Sequence, residues 1–484
     1  MCHSGASGIA WAAVALTATT LLGCGGSVGD DAATGGRDAP NDTSGGNPAE
    51  AAPERSTLGA GGATTVELAS GSGAGEAAAT DLASNAGTAP ETWAPWARSL
   101  EARADAVATD TEGNLVVVTR APAAQSLWNE HVGDLTVSLL DPGGAELWSA
   151  AYPRTCDSPL DVVVTRDNQI WLACVYTVDM YMETTLGLTG EVDTYRSLYL
   201  ISTSRDGERI VWSIDLDGGA RPALAADAEG SLFVNGSDFL FAKRSVTGSA
   251  LWEVPTPAED VLVDDLAVAA SGDVLVTGTL DGEVGLDGNA LDADLTEGRK
   301  RFVARYDSGG QHLWSEVWPA STAGHLAAAP DGAFVVCARF DTPFELDDHT
   351  LEPRGSLSSL VVGFDAAGGY RFVRSLPFSC NGVDVTSDDS VVLTGDLGGA
   401  VDLGGGEVGA NDRSAVAYVK LDADGEHLAS AAFVGSDDTY GQAIAAHPGG
   451  GVVLVGGATG AVDFGIEQLQ PATGFVARLE VAAD

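Results

Sequence analysis

Four aspartates recur near the beginning of successive stretches of this sequence, and their carboxylates are the first candidates for chemistry: Asp105, Asp161, Asp264 and Asp384. Two carboxylates that face one another can act as general acid and base in a hydrolase or a lyase. The chain has 69 acidic residues, so carboxylates near one another in the sequence are not by themselves informative. We expect these four to line a central tunnel of the fold described below.

Cysteines are the second set of candidates. Cys156, Cys174, Cys337 and Cys380 lie far apart, and none belongs to the Cys-x-x-Cys pattern that is typical of zinc sites. An even number of cysteines in an exported domain favours disulfides instead. No histidine pair has metal-binding spacing either, so we expect no metal site.

Cys24 has a different context, because it follows the short apolar segment Ala10–Leu22. That segment is too short for a stable membrane span and lies where a signal peptide is expected. Leu21-Leu22-Gly23-Cys24 resembles the lipobox of bacterial lipoproteins, which implies cleavage before Cys24 and acylation of that residue. We therefore expect a signal peptide over residues 1–23 and a lipid anchor in the outer membrane, facing either the periplasm or the outside. Met1–Ser7 contains no Lys or Arg, which leaves a plain secretory signal as the alternative.

Residues 24–90 consist mainly of Gly, Ala, Ser, Thr and acidic residues. Such a segment buries too little apolar surface to offset the entropy cost of ordering, so we expect a disordered tether. The whole chain has a net charge of −45, which disfavours binding to nucleic acid or anionic lipid. We expect a soluble monomeric domain beyond the tether.

Residues 91–484 contain a sequence repeat of seven units. In each unit a small apolar run leads to a tight turn and then to a run rich in Val and Leu. The first turns of the seven units are Asp110–Gly113, Arg166–Asn168, Asp227–Gly230, Ala270–Gly272, Pro330–Gly332, Ser387–Asp389 and His447–Gly449. A second turn follows in units one to six, often with a Trp after it. Two hairpins per unit predict four strands, and the repetition predicts an all-β fold, a seven-bladed β-propeller of four-stranded antiparallel blades.

The last unit lacks a fourth strand of its own. Residues near 93–100 resemble the fourth strands of other units, so we expect them to pair with Phe475–Leu479 and close the last blade. When the seven units are aligned with one another, Cys156 and Cys174 lie on adjacent predicted strands of unit two. Cys337 and Cys380 hold similar places in units five and six. We therefore expect disulfides Cys156–Cys174 and Cys337–Cys380.

Segments 417–428 and 399–404, with an echo at 460–465, resemble the SBBP-type and PQQ-like β-propeller repeats that are common in deltaproteobacterial lipoproteins. The resemblance covers about residues 93–484 and implies the fold, but it says little about function. A quinoprotein would also need adjacent cysteines, which this chain lacks. Asp422–Gly425 resembles part of a calcium loop, but too few acids are present, so we expect no cofactor and keep calcium as the weaker alternative.

Two functions remain open from the sequence. The first is a binding or scaffolding lipoprotein with a protein or polysaccharide partner. The second is an extracellular lyase or hydrolase, or a quinoprotein-like enzyme, with its site at the central tunnel. A cluster of His, Arg, Tyr and carboxylate side chains at the tunnel would favour an enzyme, whereas scattered Asp and Gly would favour binding.

Overall fold

A computed structural model describes the following residues: 94–121, 133–177, 196–203, 209–215, 221–236, 239–246, 248–256, 261–280, 285–286, 300–319, 324–355, 357–410, 413–466, 468–470 and 473–480. Only the backbone is described at residues 133, 153–160, 175–177, 196–203 and 209–215. The predicted signal peptide, Cys24 and the predicted tether lie outside these residues. No helix in the described part of the chain has the length and apolar character needed to cross a membrane.

The described residues form an all-β propeller of small antiparallel sheets. Units one and two share one seven-stranded sheet in chain order: β2 (Arg103–Thr109), β3 (Leu115–Arg120), β4 (Gly133–Leu140), β5 (Glu146–Val164), β6 (Ile170–Thr177), β7 (Arg196–Thr203) and β8 (Arg209–Asp215). Unit three forms a four-stranded sheet from β9 (Leu224–Ala226), β10 (Leu232–Val234), β11 (Phe239–Arg244) and β12 (Ala250–Pro255). Unit four forms the next from β13 (Val261–Val268), β14 (Val274–Leu280), β15 (Lys300–Tyr306) and β16 (His312–Pro319).

Units five to seven also form four-stranded sheets, and small hairpins lie in their longer loops. Unit five contains β17 (Gly324–Ala328), β18 (Phe334–Arg339), β21 (Ser359–Phe364) and β22 (Tyr370–Leu376), with the hairpin β19 (Phe344–Leu346) and β20 (His349–Leu351). Unit six contains β23 (Ser379–Val385), β24 (Val391–Leu397), β27 (Ala415–Leu421) and β28 (His427–Val434), with the hairpin β25 (Val401–Asp402) and β26 (Glu407–Val408). Unit seven contains β29 (Thr439–Ala446), β30 (Val452–Ala458) and β33 (Gly474–Leu479), with the hairpin β31 (Val462–Asp463) and β32 (Gln468–Leu469).

The structure has six large sheets, so the prediction of seven separate blades is wrong. The reason is strand β5, which runs without a break from unit one into unit two. Its first part, residues 146–156, pairs with β4, and its last part, residues 157–164, pairs with β6. Elsewhere the fourth strand of one unit and the first strand of the next are separate.

The turns follow the predicted positions and share one hydrogen-bond pattern. In the first, the amide of Asp110 donates to the carbonyl of Asn114 at 2.9 Å, and the amide of Gly113 donates to the carbonyl of Asp110. Gly113 has a φ of 83°, which a glycine adopts without strain. The Asp110 carboxylate accepts the amides of Glu112 and Asn114 and so fixes the turn.

The second and third strands of the units are the most deeply buried. Every residue of β14 and of β30 is buried, as expected of strands that are covered on both faces. Aromatic side chains of the fourth strands then pack across to the next unit. Trp314 of unit four stacks on Phe334 and Phe364 of unit five, with ring centroids 5.6 and 5.7 Å apart. Burial of such rings supplies much of the stabilisation between neighbouring sheets.

A repeated contact underlies this packing, which we call the ring-on-glycine contact: the aromatic ring of one unit lies on the second-turn glycine of the following unit. A Cβ atom on Gly310 would lie 2.9 Å from the ring of Trp252, and one on Gly368 would lie 2.6 Å from Trp314. Only glycine leaves room for the ring there. In unit five the ring in this position is Phe372, which lies against Gly425 of unit six.

The last sheet is closed by the N-terminal segment, as predicted. Its strand order is β1 (Trp96–Leu100), β33, β30 and β29. The register runs from Trp96 opposite Arg478 to Leu100 opposite Gly474. Trp96 makes the ring-on-glycine contact with Gly144 of unit one, and its indole nitrogen donates to the carbonyl of Pro142 at 3.0 Å. The first and last parts of the described chain are thus joined in one sheet.

Cys337 on β18 and Cys380 on β23 form a disulfide between units five and six, with Cα atoms 6.4 Å apart. Cys174 is buried and disulfide-bonded. The side chain of Cys156 lies outside the described residues, so the pairing of Cys156 with Cys174 stays a prediction.

Candidate functional site

The first strands of the seven units surround a cavity of about 390 Å³. Its wall consists of parts of β2, β5, β13, β17, β23 and β29, together with Arg221 and Leu224 of unit three. Many of the lining residues are Val, Leu, Ile and Ala, but more of the cavity's exposed surface is polar than apolar. Three of the four predicted aspartates, Asp105, Asp161 and Asp384, line the cavity.

Three aspartates share one hydrogen-bond arrangement, and we call them the clasp carboxylates: Asp161, Asp265 and Asp384. Each accepts the amide of the residue that follows it and an amide of the next unit. Asp161 accepts Val162 at 2.8 Å and Leu224 at 2.7 Å. Asp265 accepts Leu266 and Leu326, both at 2.8 Å.

Asp384 repeats the arrangement two residues further along its strand. Its carboxylate accepts Val385 at 2.8 Å and Ala446 at 2.7 Å. The clasp carboxylates therefore join unit two to three, four to five, and six to seven. Because both oxygens of each group hold backbone amides, these carboxylates fix the spacing of neighbouring first strands around the cavity.

The cavity raises the pKa of each clasp carboxylate. Burial raises the pKa of Asp161 to about 6, although its two backbone hydrogen bonds act in the opposite direction. Burial and the negative charge of Asp161 raise the pKa of Asp265 well above its ordinary value. Burial also raises the pKa of Asp384. Carboxylates that influence one another in this way keep a proton in the cavity at higher pH than free aspartate does.

Asp105 lines the cavity in a different way, as the partner of two arginines. It forms ion pairs with Arg103 and, at 2.9 Å, with Arg120 on the neighbouring strand. Its carboxylate is buried, and two arginines neutralise it. Asp105 is therefore a structural ion-pair partner at the beginning of unit one.

Asp264, by contrast, is not among the residues that line the cavity, and its neighbour Asp265 is. A β-bulge between Val263 and Asp265 changes the register at this point. Asp264 instead forms an ion pair with the fully buried Arg301 at 3.0 Å. Bulges occur at the equivalent place in units one, six and seven, with Asp105, Asn381 and Gln442 as the extra residues. Sequence alternation cannot locate such an extra residue, which is why Asp265 was missed.

Two further residues of the cavity were also missed, Arg221 and His325. Arg221 is exposed to the cavity and lies in the segment before the short strand β9. Buried Asn235 fixes that segment, since its amide nitrogen donates to the carbonyl of Arg221 at 2.7 Å and its oxygen accepts the amide of Ala223. His325 is the second residue of β17. His325 lies on the first strand of its unit, and that repeat position is the one sequence signal that could have found it, whereas Arg221 precedes the short first strand of unit three.

The electrostatics around His325 are positive. Burial and the charges of Arg221 and Arg301 lower the pKa of His325 to about 3, so the ring is neutral near neutral pH. The guanidinium of Arg301, on β15, lies against Gly324, the residue before His325. A Cβ atom placed on Gly324 would be 2.5 Å from the Nη1 atom of Arg301. The Nε and Nη2 atoms of Arg301 are buried and have no hydrogen-bond partner within the part of the chain that the structure describes.

The described residues contain no group of three or more side chains arranged to hold a metal ion. At the segment that resembles part of a calcium loop, the Asp422 carboxylate accepts the amides of Asp424 and Glu426. These are the contacts that the turn aspartate makes in other units. Asp422 is thus engaged in fixing its own turn.

Several solved structures are similar to this chain. One is a streptogramin B lyase, with 11% identity and a TM-score of 0.43 over 81% of this chain and 99% of that chain. Selenomethionine-substituted virginiamycin B lyase from Staphylococcus aureus matches with 8% identity and a TM-score of 0.43 over 80% of this chain and 99% of that chain. A catalytically inactive variant of the Staphylococcus aureus enzyme with quinupristin matches with 7% identity and a TM-score of 0.42, over 80% and 100%. Similarity at this level says nothing about a reaction or a ligand of this chain. No family model and no curated protein sequence matches it.

Proposed function

We propose that this protein is a binding module of the cell envelope, anchored in the outer membrane through a lipid on Cys24. The propeller presents its cavity and loops to a glycan or protein partner. The lipobox-like sequence supports the anchor, and the composition of residues 24–90 supports a tether of about 65 residues that reaches ~45 Å. Such a tether would hold the propeller clear of the membrane.

We further infer that the ring has seven blades, two of which share strand β5. The two halves of β5 have different partners, so each half completes its own four-stranded group. The first half occupies the place of a fourth strand, and the second half lines the cavity as the other first strands do. This count agrees with the seven repeat units of the sequence.

One observation carries the binding function: each clasp carboxylate accepts two backbone amides, one of them from the next unit. These groups build a preformed, rigid cavity wall. A catalytic carboxylate pair instead needs one group free to give or take the proton of a substrate. Rigid, partly apolar cavities with a few polar groups are typical of ligand-binding sites.

An enzyme is the second candidate, and one specific observation favours it. The cavity brings together Arg221, His325 and two carboxylates with raised pKa values, those of Asp161 and Asp265. Such a cluster is expected of a catalytic site. However, an imidazole with a pKa of about 3 is a weak base near neutral pH. We therefore place binding first.

The test uses the mature chain with Cys24→Ser, which should be released from the membrane fraction in soluble form. It is applied to an array of bacterial envelope glycans and, after cross-linking on intact cells, to envelope proteins. We expect saturable binding to one class of partner and no change in that partner's covalent structure. Bond cleavage in a bound glycan, or no saturable binding to either class, would contradict the proposal.

A further inference from the structure

We propose that Arg221 and His325 form the recognition end of a site for a carboxylate-bearing sugar, such as the uronate unit of an acidic glycan. The site lies within the cavity described above. This inference rests on the proposed binding function and deepens it, since it selects a glycan over a protein as the partner.

Arg221 supplies the charge for this site. Its guanidinium has neither an ion pair nor a hydrogen bond within the described part of the chain, although the molecule carries a large excess of acidic residues. Arg103, Arg120, Arg301 and Arg305 each pair with an aspartate. Asn235 holds the backbone of Arg221, which fixes the point from which this side chain extends into the cavity. A guanidinium presents paired N–H groups that match a carboxylate in two parallel hydrogen bonds.

His325 supplies a second polar contact. Neither of its ring nitrogens has a hydrogen-bond partner among the described residues, and the ring faces the same cavity. Arg221 and Arg301 are both close enough to lower the pKa of this ring. The end of the cavity near Arg221 and His325 therefore has a guanidinium without an ion pair and ring nitrogens without a hydrogen-bond partner among the described residues. An anionic ligand group placed there would pair with the first and could bind the second.

The rest of the cavity selects the kind of anion. Asp161 and Asp265 lie in the same cavity, and their oxygens can accept further hydrogen bonds from hydroxyl groups. A ligand that carries one negative charge and several hydroxyl groups fits this combination. Among the described residues one unpaired arginine lines the cavity and several carboxylates do, so a phosphate dianion is disfavoured. A volume of about 390 Å³ suits one or two sugar rings.

The binding experiment uses the full mature chain with Cys24→Ser and calorimetric titration with D-glucuronate, D-glucose and D-glucose 6-phosphate. We expect D-glucuronate to bind about tenfold or more tightly than either of the other two probes, because a hydrogen bond between charged groups contributes about that factor. Arg221→Gln should weaken D-glucuronate binding by a similar factor. The control Arg371→Gln removes an arginine whose ion pair with Asp331 lies on the outer strand β22, and it should leave binding unchanged.

A second measurement follows the His325 ring by NMR, with His325→Gln used to assign its signal. Bound D-glucuronate should raise the pKa of His325, because its negative charge offsets that of the two arginines. Equal binding of D-glucose, tighter binding of D-glucose 6-phosphate, or full affinity in Arg221→Gln would each overturn the sugar-acid site. If all three probes fail while the glycan array or cross-linking still finds a partner, the sugar-acid site is wrong and the binding function stands. If neither experiment finds binding, both proposals are wrong.

Discussion

The sheet that closes the propeller and the sheets that follow one another along the chain are held to their neighbours by different means. The closing sheet depends on a complete strand, β1, which pairs with β33 over five residues. Three of the internal junctions are joined at the cavity by single clasp carboxylates, and the junction of units five and six carries a disulfide.

The difference follows from chain connectivity. Neighbouring units within the chain are already held near one another by a short connection, so a few directed contacts suffice to fix their spacing. Residues 96–100 are separated from their partners by more than 370 positions, and bringing them together has a larger entropy cost. That cost is offset by many backbone hydrogen bonds and by the burial of aromatic and aliphatic surface. Four predictions test this comparison.

Deletion of residues 91–100 should have the largest effect. It removes β1, leaves β33 with an unpaired edge, and removes the ring of Trp96 from Gly144. Since each backbone hydrogen bond contributes ~1 kcal/mol, we expect a loss of several kcal/mol in the free energy of unfolding. Chemical denaturation measures this loss, and deletion of residues 30–85 is the control. Equal stability of the two truncated chains would mean that the closing strand does not stabilise the ring.

Replacing both Cys337 and Cys380 with alanine should have the next largest effect. The bridge spans a sequence separation of 43, and closing a loop of that length corresponds to about 4 kcal/mol in the chain-entropy treatment. The double variant should therefore unfold at a clearly lower denaturant concentration. Cys24→Ser is the control, because it removes a cysteine without touching the bridge. An unchanged unfolding midpoint would show that the internal junction does not need the disulfide.

Asp384→Ala should destabilise the junction of units six and seven by about 1–3 kcal/mol. The substitution leaves the amides of Val385 and Ala446 without their acceptor, and an unsatisfied buried amide has a cost of this order. Asp424→Ala is the matched control at an exposed turn, with an expected change within ~0.5 kcal/mol. Equal effects of the two substitutions would show that the clasp carboxylates are not needed to hold neighbouring units.

The smallest effect concerns pH. His325 has a pKa of about 3 in the folded protein, below the ordinary value near 6.5. Its contribution to stability is therefore complete above pH ~6.5 and is lost as the pH falls towards 3. Asp161 acts in the opposite direction, because its raised pKa gives stability that is lost as the pH rises through about 6.

His325→Gln should remove the first of these contributions. The variant's free energy of unfolding should fall less steeply between pH 6.5 and 3 than that of the wild type. The difference in slope should stay well below ~1.4 kcal/mol per pH unit, because the ring is partly exposed. Denaturation at a series of pH values measures both slopes. Identical slopes would show that His325 is not held neutral by its surroundings.

Much of the fold could be predicted from the sequence because turns and apolar runs have local signals. The turn Asp110–Gly113 needs an aspartate to fix the loop and a glycine with positive φ, and the sequence shows both residues. The pairing of the N-terminal strand followed from a missing fourth strand. The merging of units one and two into one sheet could not be predicted. Whether β5 is continuous depends on backbone geometry rather than on residue type.

The cavity was harder to predict because its residues depend on register. Asp264 and Asp265 are chemically identical, and only the bulge decides which one faces the cavity and which one pairs with Arg301. Arg221 lies in a unit whose first strand is only three residues long, so the repeat pattern gave no position for it. His325 had no partner at a recognisable spacing, since Arg221 and Arg301 come from two distant segments, the residues before β9 and strand β15.

The ring-on-glycine contact has a consequence for how such a chain can grow. Units four and five each supply the ring for one junction and the glycine for another, so neither is complete in isolation. A gene duplication that adds one whole unit of this kind reproduces both halves of the contact. A duplication of half such a unit would create a junction without a matched ring and glycine. Such a chain would therefore grow by whole repeats, even though each packing contact is made between two neighbouring repeats.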